Sequence, residues 1–243
     1  MDRIGDHMHV KMKNTWRKRF AIIVLLLLVL VVILMTGKES RAQSQPAFYN
    51  DIQAFKKLDE VNSPAKGKIL FIGSSSFTYW KDVHNYFPEN TIINRGFGGS
   101  TLVDQIRYQE DIIYPYKPRQ VVIYCGENDI ASSDTISVET VVGRFKQLFS
   151  DIRSRLPKTS VVFVSMKPSP SRWHMQNRVK AANDAIRLFL AAHKRTAYVD
   201  VYTPMLKADG RPAPALFLSD SLHMTASGYA IWKEKIAPTL IRK

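Results

Sequence analysis

The feature that most restricts how this chain can fold is a repeated switch in its hydrophobic period. Short apolar runs at 68–72, 91–94, 120–125, 160–165 and 197–201 alternate with segments near 102–113, 138–155, 176–195 and 225–240 whose apolar residues recur at helical spacing. Apolar runs of that length, bounded by turn residues, read as strands buried on both faces of a parallel sheet. The 138–155 segment places Val138, Val141, Val142, Phe145, Leu148, Phe149 and Ile152 on one side. Val179, Ala182, Ile186, Phe189 and Leu190 do the same further along. Strand–helix alternation of this kind builds βαβ units, and right-handed crossovers leave few topologies. The simplest is a five-stranded doubly wound sheet, with a short helix over 50–58 ahead of it.

Charge narrows the partners. The net charge is +14, with eight Lys/Arg against three Asp/Glu in residues 1–42 and 27 against 18 in the rest. A basic surface attracts phospholipid or nucleic acid. Here the basic residues are scattered and no RNA-binding or helix-turn-helix signature accompanies them, so a solvated basic surface is expected and no nucleic acid. The single cysteine, Cys125, excludes an intrachain disulfide and any cysteine cluster for a metal. Trp16-Arg17-Lys18-Arg19 precedes an unbroken run of sixteen apolar residues over 20–35. That is slightly short for a comfortable bilayer span of about 20 residues and long for a signal-peptide core of about 7–15. Positive charge ahead of the run places the N-terminus in the cytoplasm and exports the chain beyond the run. The expected organisation is a cytoplasmic segment over 1–19, a signal anchor or signal-peptide core over 20–36, a tether over 37–47 and the main domain over 48–243. An uncleaved membrane anchor is favoured over cleavage near Ala42, which would release the domain. No feature of the sequence sets an oligomeric state.

Four clusters carry residues capable of chemistry. The first strand runs into Gly73-Ser74-Ser75-Ser76. These serines either turn the chain and cap the next helix or deliver hydroxyls to the carboxyl edge of the sheet, where open α/β folds bind ligands. The second strand ends in Arg95-Gly96-Phe97-Gly98-Gly99, a tight turn whose backbone N–H groups can approach a ligand without a Cβ in the way. Gly126-Glu127-Asn128-Asp129 comes after the third, where the asparagine is a turn former or an amide donor to an oxyanion. Asp220-Ser221-Leu222-His223 precedes the last helix, at a spacing that lets the carboxylate orient the imidazole. Together they supply a nucleophile, a base, a group orienting the base and oxyanion donors, the requirements of acyl transfer.

In that order the blocks resemble the SGNH hydrolases, also called GDSL-like lipases and acylhydrolases, over about residues 66–240. The resemblance implies a three-layer α/β/α sandwich, a flavodoxin-like fold with a five-stranded parallel sheet, here preceded by an N-terminal hydrophobic helix. It makes Ser75 the nucleophile and Asp220 and His223 its partners, with the Ser75 N–H, the Gly99 N–H and the Asn128 amide as the oxyanion hole. Gly98 is the one-residue alternative to Gly99. Ser74 stands where the family usually has Asp. The rival α/β-hydrolase elbow, Gly-x-Ser-x-Gly, fails because Phe77 fills its last position.

The expected activity is ester hydrolysis through an acyl-enzyme on Ser75, requiring no metal or organic cofactor. Tyr79, Trp80, Phe97, Arg172 and Trp173, with Ser74, are candidates for the pocket wall. No long insertion suggests a lid over a lipid tunnel. A short-chain or acetyl ester, including one on carbohydrate, is therefore favoured over the lysophospholipase or thioesterase alternative. An inactive surface-binding module is the reading from another class.

Overall fold

The computed structural model describes residue 16, residues 19–28 and residues 45–242. The chain divides into two compact units, Met1–Pro46 and Ala47–Lys243. In the first, residues 19–28 are helical. The rest of the expected membrane span and most of the expected tether lie outside the described residues. Among the described residues no helix is long and apolar enough to cross a membrane.

The second unit opens with α1 (Tyr49–Val61), followed by β1 (Ile69–Gly73), α2 (Ser75–Thr78), α3 (Val83–Tyr86), β2 (Ile92–Gly96), α4 (Leu102–Arg107) and α5 (Gln109–Ile112). It continues through β3 (Gln120–Tyr124), α6 (Glu127–Ser132), α7 (Val138–Arg155), β4 (Ser160–Val164), α8 (Gln176–Ala191), β5 (Thr196–Val199) and α9 (Ala226–Ile236). All strand pairs are parallel, in the order β2-β1-β3-β4-β5. The five-stranded parallel sheet expected from the alternation is present, in the flavodoxin-like order.

Side chains alternate across each strand, so each strand feeds two cores. Leu70, Ile72, Val121, Ile123, Val161 and Phe163 pack with Ile52, Leu102, Val141, Phe145 and Ile186 of α1, α4, α7 and α8. Ile69, Phe71, Val122, Tyr124, Val162 and Val164 pack with Phe77, Val83, Trp232 and Ile236 of α2, α3 and α9. These are the three layers. The helix expected over 138–155 coincides with α7, whose first turn is capped by Ser137 accepting from the Thr140 N–H. The segment near 102–113 instead breaks at Tyr108 into α4 and α5, and α8 stops at Ala191 rather than 195. The last helix ends at Ile236, ahead of a 3₁₀ turn containing Pro238, which lacks the N–H to continue it.

Two of the residues expected in the pocket wall are not there: Trp80 and Phe97 are fully buried. Trp80 lies among Phe71, Phe77, Phe87, Tyr229 and Trp232, and Phe97 packs edge-on against Phe48 and Tyr108. Burying large aromatic surface outweighs any gain from leaving it at a cleft.

Candidate active site

The sheet changes direction between β1 and β3: β1 leads outward to β2, and β3 leads the other way to β4 and β5. Ligands of open α/β sheets bind at the carboxyl ends of the strands flanking such a switch point. Gly73 ends β1 there, with φ of 139°. A Cβ at Gly73 would lie 1.9 Å from the Tyr124 carbonyl oxygen, so no side chain fits. That carbonyl accepts the Ser74 N–H at 3.0 Å, which turns the chain directly into α2. Ser75 is the first residue of α2 and is only partly buried, whereas Ser74 and Ser76 are buried.

The Asp220–His223 turn approaches from the other end of the chain. Asp220 Oδ1 accepts the backbone N–H groups of Leu222 and His223, both at 2.9 Å, and Oδ2 lies 2.6 Å from His223 Nδ1. A carboxylate only accepts, so Nδ1 carries the hydrogen and neutral His223 has Nε2 free to accept. Nε2 lies 3.0 Å from Ser75 Oγ. The hydrogen bond from His223, with those from the two N–H groups, holds the Asp220 carboxyl down to about 2. Ser221 supplies the bend with φ of 56°, and the Phe217–Met224 bridge closes the turn. Tyr79 stands edge-on to the imidazole at 4.5 Å between ring centroids.

Asn128, second residue of α6, reaches the same place. Its amide donates to Ser74 Oγ at 2.7 Å and to the Ser100 carbonyl at 3.0 Å, engaging both hydrogens. Ser74 is thus an acceptor that orients Asn128 and does not line an open pocket. A side chain at Gly98 would stand 3.8 Å from the Ser75 Cβ, while one at Gly99, where φ is 82°, would meet the Phe48 ring at 3.7 Å. The Gly98–Gly99 turn therefore flanks the serine. Among the described residues the N–H groups of Ser75, Gly98 and Gly99 have no hydrogen-bond acceptor. Asp129 is fully buried and accepts from the Leu102 N–H at 2.9 Å and from Arg144 at 2.8 Å, tying α6 to α4 and α7.

Glu127 belongs to this site although its place in the third block gives it no role there. Its carboxylate is buried and accepts from Tyr124 Oη (2.6 Å), Lys167 Nζ (2.8 Å) and Ser169 Oγ (2.6 Å). Arg172 Nη1 stands 3.3 Å away. Burial alone would raise the Glu127 carboxyl, but Lys167 and Arg172 overcome it and hold the group down to about 2. Burial likewise lowers the Lys167 ammonium, against the pull of Glu127. Lys167, Ser169 and Arg172 belong to the loop and 3₁₀ turn after β4. Ser171 in the same segment donates its N–H and its hydroxyl to the Ser221 carbonyl, both at 3.0 Å. One loop thus joins the start of α6 to the Asp220–His223 turn. Glu127 sits beside Asn128 and Lys167 comes after β4 in the sequence, but nothing in either neighbourhood announces their pairing. Trp173, a candidate for the pocket wall, is partly buried beneath Arg211.

Fold and switch-point geometry together define a class. Residues 73–231 match the GDSL-like lipase/acylhydrolase family, and the chain belongs to it. It is a hydrolase of ester bonds. It is similar to the platelet-activating factor acetylhydrolase IB subunit alpha1 of Pongo abelii, at 24% identity over 211 residues, covering 81% of this chain and 87% of the relative. Among solved structures it resembles a putative platelet activating factor from Streptococcus pneumonia (TM-score 0.69, 20% identity, 88% of this chain and 99% of that one). It also resembles a catalytic mutant of an acetylxylan esterase from Geobacillus stearothermophilus (TM-score 0.58, 15% identity, 74% and 97%).

Proposed function

We propose that the chain hydrolyses short acyl esters, acetyl esters foremost, through a covalent acyl-enzyme on Ser75. The observation that carries this reading is the 3.0 Å approach of His223 Nε2 to Ser75 Oγ, with Asp220 2.6 Å behind the imidazole. His223 takes the hydroxyl proton as Ser75 Oγ attacks the ester carbonyl, and Asp220 stabilises the imidazolium that forms. The N–H groups of Ser75 and the Gly98–Gly99 turn, Gly99 foremost, receive the developing oxyanion. Asn128 joins them when its amide turns from Ser74 Oγ. The imidazolium then protonates the departing alcohol. Water, activated by His223, attacks the acyl carbon and restores free Ser75.

Two observations favour a short acyl group. Trp80 and Phe97, two of the aromatics expected at the pocket wall, are withdrawn into the core. Tyr79 is 55% exposed and lies against His223, so the surface beside the nucleophile is open. Two of the similar proteins are named for acetyl substrates, one an acetylhydrolase and one an acetylxylan esterase, which supports the same class.

A fluorophosphonate probe should label the protein at Ser75 and not label Ser75→Ala, and a series of p-nitrophenyl esters should show kcat/KM falling beyond short acyl chains. A folded Ser75→Ala variant that still hydrolyses the acetyl ester would end this assignment. A rise toward long chains would move the substrate to lipid.

The same reading puts the domain outside the cytoplasm on an anchor. Its support is the sixteen-residue apolar run behind Trp16-Arg17-Lys18-Arg19. Recovery of the intact chain in the soluble fraction of disrupted cells would overturn it.

A further inference from the structure

Arg172 is the one charged group in the loop after β4 that the chemistry above does not use, since Lys167 is spent on Glu127. Its side chain is 22% exposed, against 6% for Glu127. The Glu127 carboxylate is already occupied by Tyr124, Lys167 and Ser169 at 2.6–2.8 Å. Arg172 Nη1 adds only a longer 3.3 Å approach, and among the described residues no guanidinium N–H of Arg172 makes a hydrogen bond. A guanidinium carries five donors in a planar fork, and a cation held close to other cations without acceptors is electrostatically costly.

The carboxylates around it are already engaged. Lys167 neutralises Glu127, and Asp220 is committed to His223. Arg172 disfavours the charge on Lys167, and Arg211 adds another cation over the neighbouring Trp173 ring. Arg172 shares the Glu127 carboxylate with Lys167, at the longer distance of 3.3 Å. It is also held in place. Ser171, one residue before it, is bonded twice to the Ser221 carbonyl inside the Asp220–His223 turn, and Glu127 adjoins Asn128. The segment carrying Arg172 therefore bridges the start of α6, where Asn128 sits, and the Asp220–His223 turn.

We propose that Arg172 is a specificity residue that recognises a carboxylate or phosphate carried by the ester substrate. The proposal rests on Ser75 being the nucleophile only for its kinetic test. An oxyanion group would complete the fork with paired, charge-assisted N–H···O bonds.

The experiment compares para-acetoxybenzoate with its neutral methyl ester, which share the acetyl group; the methyl ester has the better leaving group, so each kcat/KM is first divided by the rate of imidazole-catalysed hydrolysis of the same ester. The ratio of their kcat/KM values should favour the anionic ester by about tenfold in wild type at low ionic strength, shrink with added salt, and fall to near unity in Arg172→Gln. Arg172→Lys should recover part of it. A general loss of activity cannot move this ratio. A ratio near unity in wild type, or one unchanged in Arg172→Gln, overturns the proposal. Equilibrium binding of two stable probes, para-acetamidobenzoate and para-acetamidophenyl phosphate, needs no turnover and is measured by calorimetry. At least one should bind Arg172→Gln about tenfold more weakly than wild type. Equal binding of both probes to the two proteins overturns the proposal even if the esters are hydrolysed. Arg172-dependent binding in a protein that shows no hydrolysis and no Ser75 labelling would instead uphold it and remove the reading of Ser75.

Discussion

Two acid–base pairs of almost equal length stand near the carboxyl edge of the sheet: Asp220–His223 at 2.6 Å and Glu127–Lys167 at 2.8 Å. Their surroundings are opposite. The Asp220 side chain is 47% exposed, while Glu127 and Lys167 are 6% and 2% exposed. An exposed pair is screened by water and contributes little to stability, so under the proposed mechanism its value lies in orienting the imidazole. A buried pair cannot lose one member without stranding the other's charge in a poorly solvating interior. Under the proposed mechanism the first pair serves turnover, while the second is placed to hold this part of the fold together.

The comparison can be broken by exchanging these roles in variants. Asp220→Asn should cost about 10⁴-fold in kcat, roughly 5.5 kcal/mol of barrier, because the imidazole loses its preferred tautomer. Thermal unfolding of that variant should move by less than about 1 kcal/mol, as expected for an exposed pair. A large loss of stability with activity retained would reverse the assignment of roles.

Glu127→Gln should do the opposite, destabilising the fold by about 3–5 kcal/mol in chemical denaturation. The effect has a definite direction with pH. The carboxyl is held at about 2 in the folded protein against an ordinary 4.5, so between these values the unfolded chain binds more protons. The stabilisation is therefore complete above pH 4.5 and is lost as pH falls toward about 2. Wild type should lose stability more steeply than Glu127→Gln across that window, and parallel curves would show that the pair is not the source.

Asn128→Ala should lower kcat by about 10²–10³-fold, the loss of one oxyanion donor. Since the same amide spans Ser74 and Ser100, a smaller kinetic loss with a larger loss of stability would make it a strut. Ser221→Gly should have the smallest effect, within about 1 kcal/mol in melting, because relief of the positive φ is offset by extra freedom in the unfolded chain.

Much of the fold was legible because its causes are local. Strand positions came from β-prone apolar runs, and α7 from the helical recurrence of Val141, Phe145, Leu148 and Ile152. The five-stranded parallel sheet came from their alternation. The break at Tyr108 was not legible, because the apolar pattern continues through it. The place of Ser75, Gly99, Asn128, Asp220 and His223 on one edge was legible from the four blocks, three of them at strand ends. The burial of Trp80 and Phe97 was not, since an aromatic after a strand can turn to either side.

The sequence alone therefore determined the order of the elements and the residue types delivered to the sheet's edge, since period, glycine positions and motif spacing are properties of neighbouring residues. Only the tertiary structure decided what those residues touch. It set His223 against Ser75 across 148 residues, the Asn128 amide on Ser74 across 54, and Lys167 on Glu127 across 40. Contacts over such distances depend on how layers pack and which charges are left dry, and no local pattern encodes them. Gly73 joins the two levels. Its identity is written in the chain, but the reason for it is a carbonyl of β3 that would lie 1.9 Å from any side chain placed there.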